Sequence, residues 1–261
     1  MDAAHKPIIL TYHSVADGPS PLEIPPAVFA EQMEWLKANT NVVPLGEIVT
    51  ALANHKSFPE RAVVLTFDDG FRDFHIAAAP VLLRLKLPAI VFLPTAYVGG
   101  KNDWAGQPAW VAPQPLMDWP DIRGLAEKGI EFGSHSVTHP NITKLEVRQL
   151  LDELEGSKTE IESRIGRKAE FFCYPYGRWN EQACGAVASL YRGACSTCAG
   201  VVEPDADRYA LPRVDAHYVR SMARFRTLFT QGFVRYVALR RWIRRLRGQP
   251  EGNYARVAAS E

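Results

Sequence analysis

The sequence has no long apolar run, almost no net charge and few cysteines, and each of these absences excludes a class of protein. No stretch approaches the roughly 20 apolar residues that a transmembrane helix needs. Thirty lysines and arginines against 29 aspartates and glutamates leave a formal net charge of +1, so nucleic acid is not an expected partner. The N-terminal segment MDAAHKPIILTYHS lacks the basic region, apolar core and cleavage site of a secretory signal. We therefore expect a cytoplasmic protein.

The cysteines offer one local pattern. Of the four, Cys195 and Cys198 are spaced as C-x-x-C, which occurs in redox pairs and as half of a zinc site. The sequence contains no second C-x-x-C or C-x-x-H to complete such a zinc site. The surrounding RGACSTCAG is typical of a small-residue strand and turn. We expect reduced thiols with a structural role.

Strand and helix patterns alternate along the 261 residues, a length that suits one large α/β domain. Apolar runs predict strands at 7–12, 62–67, 88–94, 130–133, 169–175, 192–197 and 208–214. Helical patterns lie at 26–40, 46–56 and 71–86, from about 118, after a capping box at Thr143 and Glu146, and at 180–190. Pro80 should kink the third helix or begin a new one. Repeated β-α units favour a parallel sheet, open or closed into a barrel.

The segment VVLTFDDGF places two carboxylates, Asp68 and Asp69, where a buried strand ends. Neighbouring negative charges repel, and burying them is costly unless a positive charge lies close by. One interpretation is a strand-to-helix turn in which an aspartate caps the next helix. The other is a functional site, since sites of parallel α/β folds lie just past the strand ends.

A second polar segment, SHSVTH, follows the strand predicted at 130–133 and contains His135 and His139. The i, i+4 spacing would put both imidazoles on one face of a helical turn. With an aspartate from the other strand end they form a His-His-Asp set, and three protein ligands with one open position suit catalytic zinc. One carboxylate could then bind the metal, while Asp68 acts as general base toward the bound water.

Two aromatic segments complete the candidate site. In FFCYPYG, Tyr174 and Tyr176 flank Pro175, and the turn could aim a main-chain N–H at an oxyanion; the alternative is an ordinary aromatic strand end. The long loop 95–115 contains Trp104 and Trp110, whose indoles could stack on sugar faces.

These motifs, TFDDG (66–70), HSVTH (135–139) and YPYG (174–177), resemble those of the polysaccharide deacetylases, the NodB-homology or carbohydrate esterase family 4 domain. The resemblance runs from LTYHSV near the start to LPRV at 211–214. It implies a distorted (β/α) barrel and a divalent metal, most commonly Zn²⁺, that serves to hydrolyse N-acetyl groups of amino sugars. It also implies roles for the site residues: metal ligands Asp69, His135 and His139, the base Asp68, and an oxyanion-binding N–H of Tyr176.

The chain departs from the common family pattern at two places. Cys173 stands where many members have arginine, and the late Leu-x-His that supplies the general acid is absent. The early LTYH resembles the subgroup acting on poly-N-acetylglucosamine-type exopolysaccharides, in which the late strand is displaced to the beginning. That resemblance gives the acid role to His13, with His217 as the alternative, and makes Arg213 the cation that orients Asp68.

The C-terminal part is basic. We predict a deacetylase domain at 1–220, a basic amphipathic helix at 221–248 and a flexible tail at 249–261. The arginine-rich segment 233–248 could lie on an anionic membrane, which would place the protein at the inner membrane surface, or could pack on the barrel with a solvated arginine face.

The favoured function is metal-dependent removal of N-acetyl groups from an amino-sugar-containing polysaccharide or lipid-linked glycan, whose N-acetylated sugars would be the binding partner. Two alternatives stay open. The same metal site and fold could hydrolyse a non-sugar amide or cyclic imide, or the protein could be a catalytically silent glycan-binding module. The intact Asp68, Asp69, His135 and His139 argue against the silent module.

Overall fold

The computed structural model describes residues 3–108 and 111–246. Trp110 and the predicted tail 249–261 lie outside the described residues. The eight strands are β1 Ile8–Tyr12, β2 Asn41–Val42, β3 Ala62–Phe67, β4 Ile90–Leu93, β5 Glu131–Ser134, β6 Phe171–Cys173, β7 Gly193–Ala199 and β8 Leu211–Asp215. The α-helices are α1 Pro26–Asn39, α2 Leu45–Ala53, α3 Ala79–Leu85, α4 Trp119–Glu127, α5 Val147–Ile165, α6 Glu181–Leu190, α7 Met222–Phe225 and α8 Gln231–Leu246.

The strands are all parallel and seven of them close into a barrel. Their order is β1-β8-β7-β6-β5-β4-β3, and β1 also pairs with β3 in a five-residue register from Ile8↔Val63 to Tyr12↔Phe67. The short β2 attaches outside this ring, on β3. The predicted (β/α) barrel is therefore confirmed, and of the open and closed sheets the closed one is correct.

Alternation along the strands creates two apolar layers. Val63, Leu65 and Phe67 of β3 pack in one cluster with residues of α1 and α3, so this layer lies between the sheet and the outer helices. Val64 belongs to a second cluster with Ile9, shared with residues of α2. Because side chains alternate between the two faces of a strand, Asp68, four residues after Val64, points to the same face as Val64. Its side chain is therefore directed toward the mouth of the barrel.

One helix prediction is confirmed and one needs correction. Pro80 lies in the first turn of α3, which begins at Ala79, so a new helix does begin at this proline. A π-helical turn over Phe74–Ala78 leads into it, and in that turn the Ala79 N–H bonds to the Phe74 carbonyl. The capping box of α5 consists of Glu146 and Gln149, rather than Thr143 and Glu146.

The C-terminal α8 packs Phe233 and Val237 into the larger apolar cluster. Within the described ranges, we find no helix whose length and hydropathy would allow it to cross a bilayer.

Candidate active site

The candidate residues converge at the carboxyl ends of the barrel strands. Asp68 and Asp69 directly follow β3, and His135 follows β5. His13 comes directly after β1, while Arg213 lies within β8. Since all these strands are parallel, residues separated by up to 200 positions in the chain meet at one rim.

Asp69, His135 and His139 form a compact triangle of potential ligand atoms. Asp69 Oδ1 lies 3.5 Å from Nε2 of each histidine, and the two Nε2 atoms are 3.2 Å apart. All three side chains are buried, and their ligand atoms lie within 4.8 Å of one another. The predicted His-His-Asp set is thus brought together by the fold.

The chemistry of this donor set fits a metal cation. Nδ1 of His135 lies 2.6 Å from the Cys173 carbonyl oxygen, which can only accept, so this nitrogen carries the proton and Nε2 turns its lone pair toward the triangle. Burial raises the pKa of Asp69, and burial together with His135 lowers the pKa of His139. A buried carboxylate that faces two imidazole rings, one of which turns a lone pair toward it, is poorly satisfied without a positive charge between these groups.

The two histidines are not presented by a helical turn. After β5 the chain runs through an irregular loop in which Ser136 and His139 have φ of 69° and 56°. The loop is held instead by side chains: Oγ of Ser136 accepts from the His139 N–H, and a Glu153 carboxylate oxygen accepts from the N–H groups of Val137 and Thr138. Asp69 also has a positive φ of 70°. Such strained backbone is typical of functional sites.

Asp68 makes a different set of contacts, centred on Arg213. Nη1 and Nη2 of the guanidinium donate to Oδ1 and Oδ2 of Asp68 at 2.8 and 2.6 Å, with both residues buried. The same guanidinium also donates to the Ser196 carbonyl oxygen and lies 3.1 Å from Sγ of Cys173. Burial acts to raise the pKa of Asp68, but the attraction of Arg213 outweighs it and holds that pKa well below its ordinary value.

This arrangement explains the cysteine in the third motif. The Cys173 thiol lies 3.6 Å from both oxygens of Asp68, so the side chain at position 173 faces this carboxylate. The cation beside Asp68 comes instead from Arg213 of β8.

All four cysteines lie in the described ranges, and none of them is in a disulfide. Burial raises the pKa of Cys195 to about 12.

Of the two histidines considered for the acid role, His13 is the one at the site. Its Nε2 lies 3.9 Å from Oδ2 of Asp68, and its side chain is largely buried. Asp73 holds the next two residues, accepting from Oγ of Ser14 at 2.5 Å and from the Val15 N–H at 2.9 Å. His217 is exposed and its ring packs against Tyr218.

The two tyrosines of the YPYG turn have different environments: Tyr176 packs beside the site, whereas Tyr174 lies in the core. Tyr176 adopts the left-handed region, with φ 57° and ψ 8°, and its ring packs on His139 at a centroid distance of 4.7 Å. Gly177 follows with φ 66°, and a Cβ there would overlap Thr197, so only glycine fits the turn. Tyr174 is fully buried and donates its hydroxyl to the Tyr209 carbonyl oxygen.

Three residues predicted to bind substrate, Tyr174, Pro175 and Trp104, are buried in the structure. Tyr174 and Pro175 are buried, which leaves them no face for a sugar. Trp104 is 2% exposed, and its indole packs 4.2 Å from the ring of His139. The burial assigns Trp104 to the wall behind the histidine rather than to an open sugar platform.

A cavity of about 340 Å³ opens beside the site. His13 and Arg213 line its catalytic side, and Tyr176, Arg178 and Tyr218 are among the residues of its outer walls. The cavity thus adjoins Asp68 through His13 and Arg213, both of which lie against its carboxylate.

Sequence reasoning missed two supporting residues, Asp73 and Glu153. Neither carries a motif of its own. Asp73 accepts a hydrogen bond from a loop 58 residues earlier, and Glu153 accepts one from a loop 16 residues earlier. Asp73 lies only four residues after Asp69, so its closeness to TFDDG is the one signal that could have indicated it.

The family model described as polysaccharide deacetylase matches residues 55–192, more than half of the chain. The chain belongs to the polysaccharide deacetylase family. The matched span contains the metal triangle, Asp68 and the Tyr176 turn, and membership confirms the prediction of a deacetylase enzyme. The family is metal-dependent, and the triangle of Asp69, His135 and His139 is a group that could hold the metal.

Relatives of this deacetylase include two bacterial proteins. YxkH of Bacillus subtilis is 29% identical over 208 residues, which cover 79% of this chain and 70% of that protein. The poly-beta-1,6-N-acetyl-D-glucosamine N-deacetylase of Staphylococcus epidermidis is 26% identical over 197 residues, covering 71% of this chain and 65% of that enzyme.

Solved structures share the fold of this deacetylase. IcaB from Ammonifex degensii matches with a TM-score of 0.73 and 22% identity, covering 88% of this chain and 97% of that one. The deacetylase PplD of Streptococcus pyogenes matches with a TM-score of 0.70 and 22% identity, covering 80% and 92% of the two chains.

Proposed function

We propose that this protein is a zinc-dependent N-deacetylase that removes acetyl groups from a polymer or lipid-linked glycan of N-acetylated amino sugars. The observation that carries the proposal is the triangle of Asp69, His135 and His139, with the Asp68–Arg213 ion pair and His13 at its side. Two imidazole nitrogens and one carboxylate oxygen, with room for a further ligand, are a donor set that catalytic zinc prefers.

Asp69, His135 and His139 would hold the metal. When bound, a Zn²⁺ ion supplies Lewis-acid chemistry: it acidifies water and polarises the acetyl carbonyl group. The His135 Nδ1–H donates to the Cys173 carbonyl, which keeps the Nε2 lone pair directed at the metal position.

The remaining residues of the site serve proton transfer. Asp68 accepts a proton from the attacking water, while Arg213 fixes the orientation of its carboxylate through two hydrogen bonds. The water oxygen bonds to the acetyl carbon, and the main-chain N–H of Tyr176 stabilises the resulting oxyanion. His13 donates a proton to the sugar nitrogen as the C–N bond breaks, so that acetate and a free amino sugar are released.

The substrate class is supported by the relatives and by the cavity. The Staphylococcus epidermidis relative acts on poly-beta-1,6-N-acetyl-D-glucosamine, and we extend that class of substrate to this chain. The cavity beside His13 has polar and aromatic walls from Arg178, Asp215 and Tyr218, which suit the hydroxyl groups and faces of a sugar.

Acetate release by the purified protein tests the proposal. We expect N-acetylglucosamine oligomers of β-1,6 linkage to yield acetate, chelation to stop the reaction and Zn²⁺ to restore it. His135→Ala should abolish stoichiometric metal binding, measured by elemental analysis, whereas His217→Ala serves as a matched histidine control that keeps the metal. Full metal content and activity in His135→Ala would refute the assignment of the ligands.

A further inference from the structure

Helix α8 has an exposed face that the barrel and the active site do not use. Phe233 and Val237 point into the protein and are 2% and 5% exposed, whereas Leu239 and Trp242 are 53% and 56% exposed. Arg235 is also exposed, and the spacing 235, 239 and 242 places these three side chains on one face of the helix. Two large apolar side chains beside an arginine are thus presented together to the surroundings.

The charge of α8 has a single sign. The sixteen residues from Gln231 to Leu246 contain five arginines and no aspartate or glutamate. The chain as a whole has a formal charge of only +1, so this helix is far more positive than the rest of the chain. Of its arginines, Arg235 shares the exposed face with Leu239 and Trp242, so a partner that matches this face must accept two apolar side chains and pair with a cation.

A groove with both polar and apolar walls runs beside this face. It has a volume of about 280 Å³ and lies between α8 and the segment after β7, with Val201, Val234 and Trp242 among its walls. Ala199 lines both this groove and the cavity that contains His13, so the two depressions adjoin. Arg240 also packs 4.3 Å over the ring of Tyr218, another wall of that cavity. The exposed helix face is therefore close to the mouth of the candidate active site.

We propose that α8 docks this protein on the surface of an anionic phospholipid bilayer. Leu239 and Trp242 insert at the level of the headgroups, where an indole is favoured, and Arg235 on the same face contacts a lipid phosphate. This combination of groups favours a bilayer over a soluble anion, because a soluble anion would leave the exposed Leu239 and Trp242 in water. Docking brings the adjoining cavity to the membrane surface.

Vesicle sedimentation with the 261-residue chain tests the docking. We expect the protein to bind vesicles of phosphatidylcholine mixed with phosphatidylglycerol, to bind pure phosphatidylcholine weakly, and to be released by high salt. Trp242→Glu and Arg235→Glu should each weaken binding to the anionic vesicles by about tenfold or more. Val147→Glu is the matched control, because Val147 is 58% exposed on the unrelated helix α5, and its binding should equal that of the wild type.

The outcomes separate docking from catalysis. Trp242→Glu should release acetate from a soluble oligomer at the wild-type rate, since Trp242 lies outside the catalytic residues. The docking proposal is overturned if the wild-type protein does not bind anionic vesicles, or if Val147→Glu loses as much binding as Trp242→Glu. Neither result would affect the proposed deacetylase function. A third outcome would assign the face to a second copy of the chain instead. In that case the wild-type protein does not bind vesicles but self-associates in sedimentation velocity, and Trp242→Glu abolishes the self-association.

Discussion

At the scale of single residues, the neighbouring Asp68 and Asp69 differ in their contacts and therefore in the chemistry open to them. Asp69 faces two imidazoles, whereas Asp68 is bound by Arg213. We predict that Asp68→Asn keeps its metal but loses turnover by about two to four orders of magnitude, because an amide cannot accept the proton of water. Elemental analysis and kcat measure the two effects separately.

Asp69→Asn is the matched variant for this comparison, since it makes the same chemical change one position along the chain. It should lose metal before any effect on chemistry can be measured. If Asp68→Asn turned over like the wild type, or lost its metal as Asp69→Asn does, the division of roles between the two aspartates would be wrong.

His13 is the residue whose role depends most on the fold. An amide nitrogen leaves poorly unless protonated, and His13 lies 3.9 Å from Asp68 while His217 is exposed. We expect His13→Ala to remain folded and metal-loaded, to be slowed about a hundredfold or more, and to lose the alkaline limb of the pH–rate profile. Near-normal kinetics in His13→Ala, together with a large loss of kcat in His217→Ala, would show that His217 is the general acid instead.

Much of the site could be predicted because its residues are carried by short local motifs. TFDDG and HSVTH each contain their functional side chains within five residues and each follows a recognisable apolar strand. The backbone of the second motif, with positive φ at Ser136 and His139, could not be predicted. It is held by hydrogen bonds that the Glu153 carboxylate and the Ser136 hydroxyl accept from main-chain N–H groups. Likewise, the burial of Trp104 depends on tertiary packing that the composition of its loop does not reveal.

At the scale of elements, the helical segment that follows TFDDG fixes the loop that follows β1. Asp73 accepts hydrogen bonds from Ser14 and Val15, the two residues after His13. We predict that Asp73→Ala lowers kcat and changes the pH–rate profile in the same direction as His13→Ala, with little change in KM, because the loop that carries His13 is released. Asp73→Asn, which keeps an acceptor for the Val15 N–H, should recover part of the rate.

Asp118→Ala provides the control for that experiment. Asp118 accepts the Asp121 N–H at the start of α4, so its loss should cost about 1 kcal/mol of stability and leave the pH–rate profile unchanged. If Asp73→Ala lowered the melting temperature alone, with the wild-type pH profile, Asp73 would be only a structural residue.

The elements themselves were largely predictable, and the exceptions have physical causes. All seven barrel strands were predicted, most from an apolar run and β7 from its small residues, whereas the two-residue β2 is too short to leave a pattern. The π-helical turn before Pro80 could not be foreseen. Proline has no N–H to donate within a helix, and either a widened turn or a helix break can accommodate that loss.

At the scale of the whole molecule, the decisive feature is the closure of the ring between β1 and β3. The β-α alternation predicts parallel strands but does not distinguish an open sheet from a barrel, since both bury strands on two faces. Closure places β1 between β8 and β3, which brings His13 to the rim and lets Arg213 reach across to Asp68. The site therefore exists only in the closed barrel.

The ion pair between Asp68 and Arg213 joins strands 145 positions apart in the chain, and a double-mutant cycle can separate its structural from its catalytic role. Both side chains are nearly inaccessible to solvent. Either single variant, Arg213→Met or Asp68→Asn, leaves the other side chain buried without its ion-pair partner and should cost about 3–5 kcal/mol of unfolding free energy.

The double variant leaves no unpaired charge, so we expect it to be more stable than the sum of the two losses predicts. Its kcat should nevertheless stay as low as that of Asp68→Asn, because the proton acceptor is still missing. Urea unfolding and acetate release measure the two quantities. Strictly additive losses of stability would show that the pair is not coupled across the barrel.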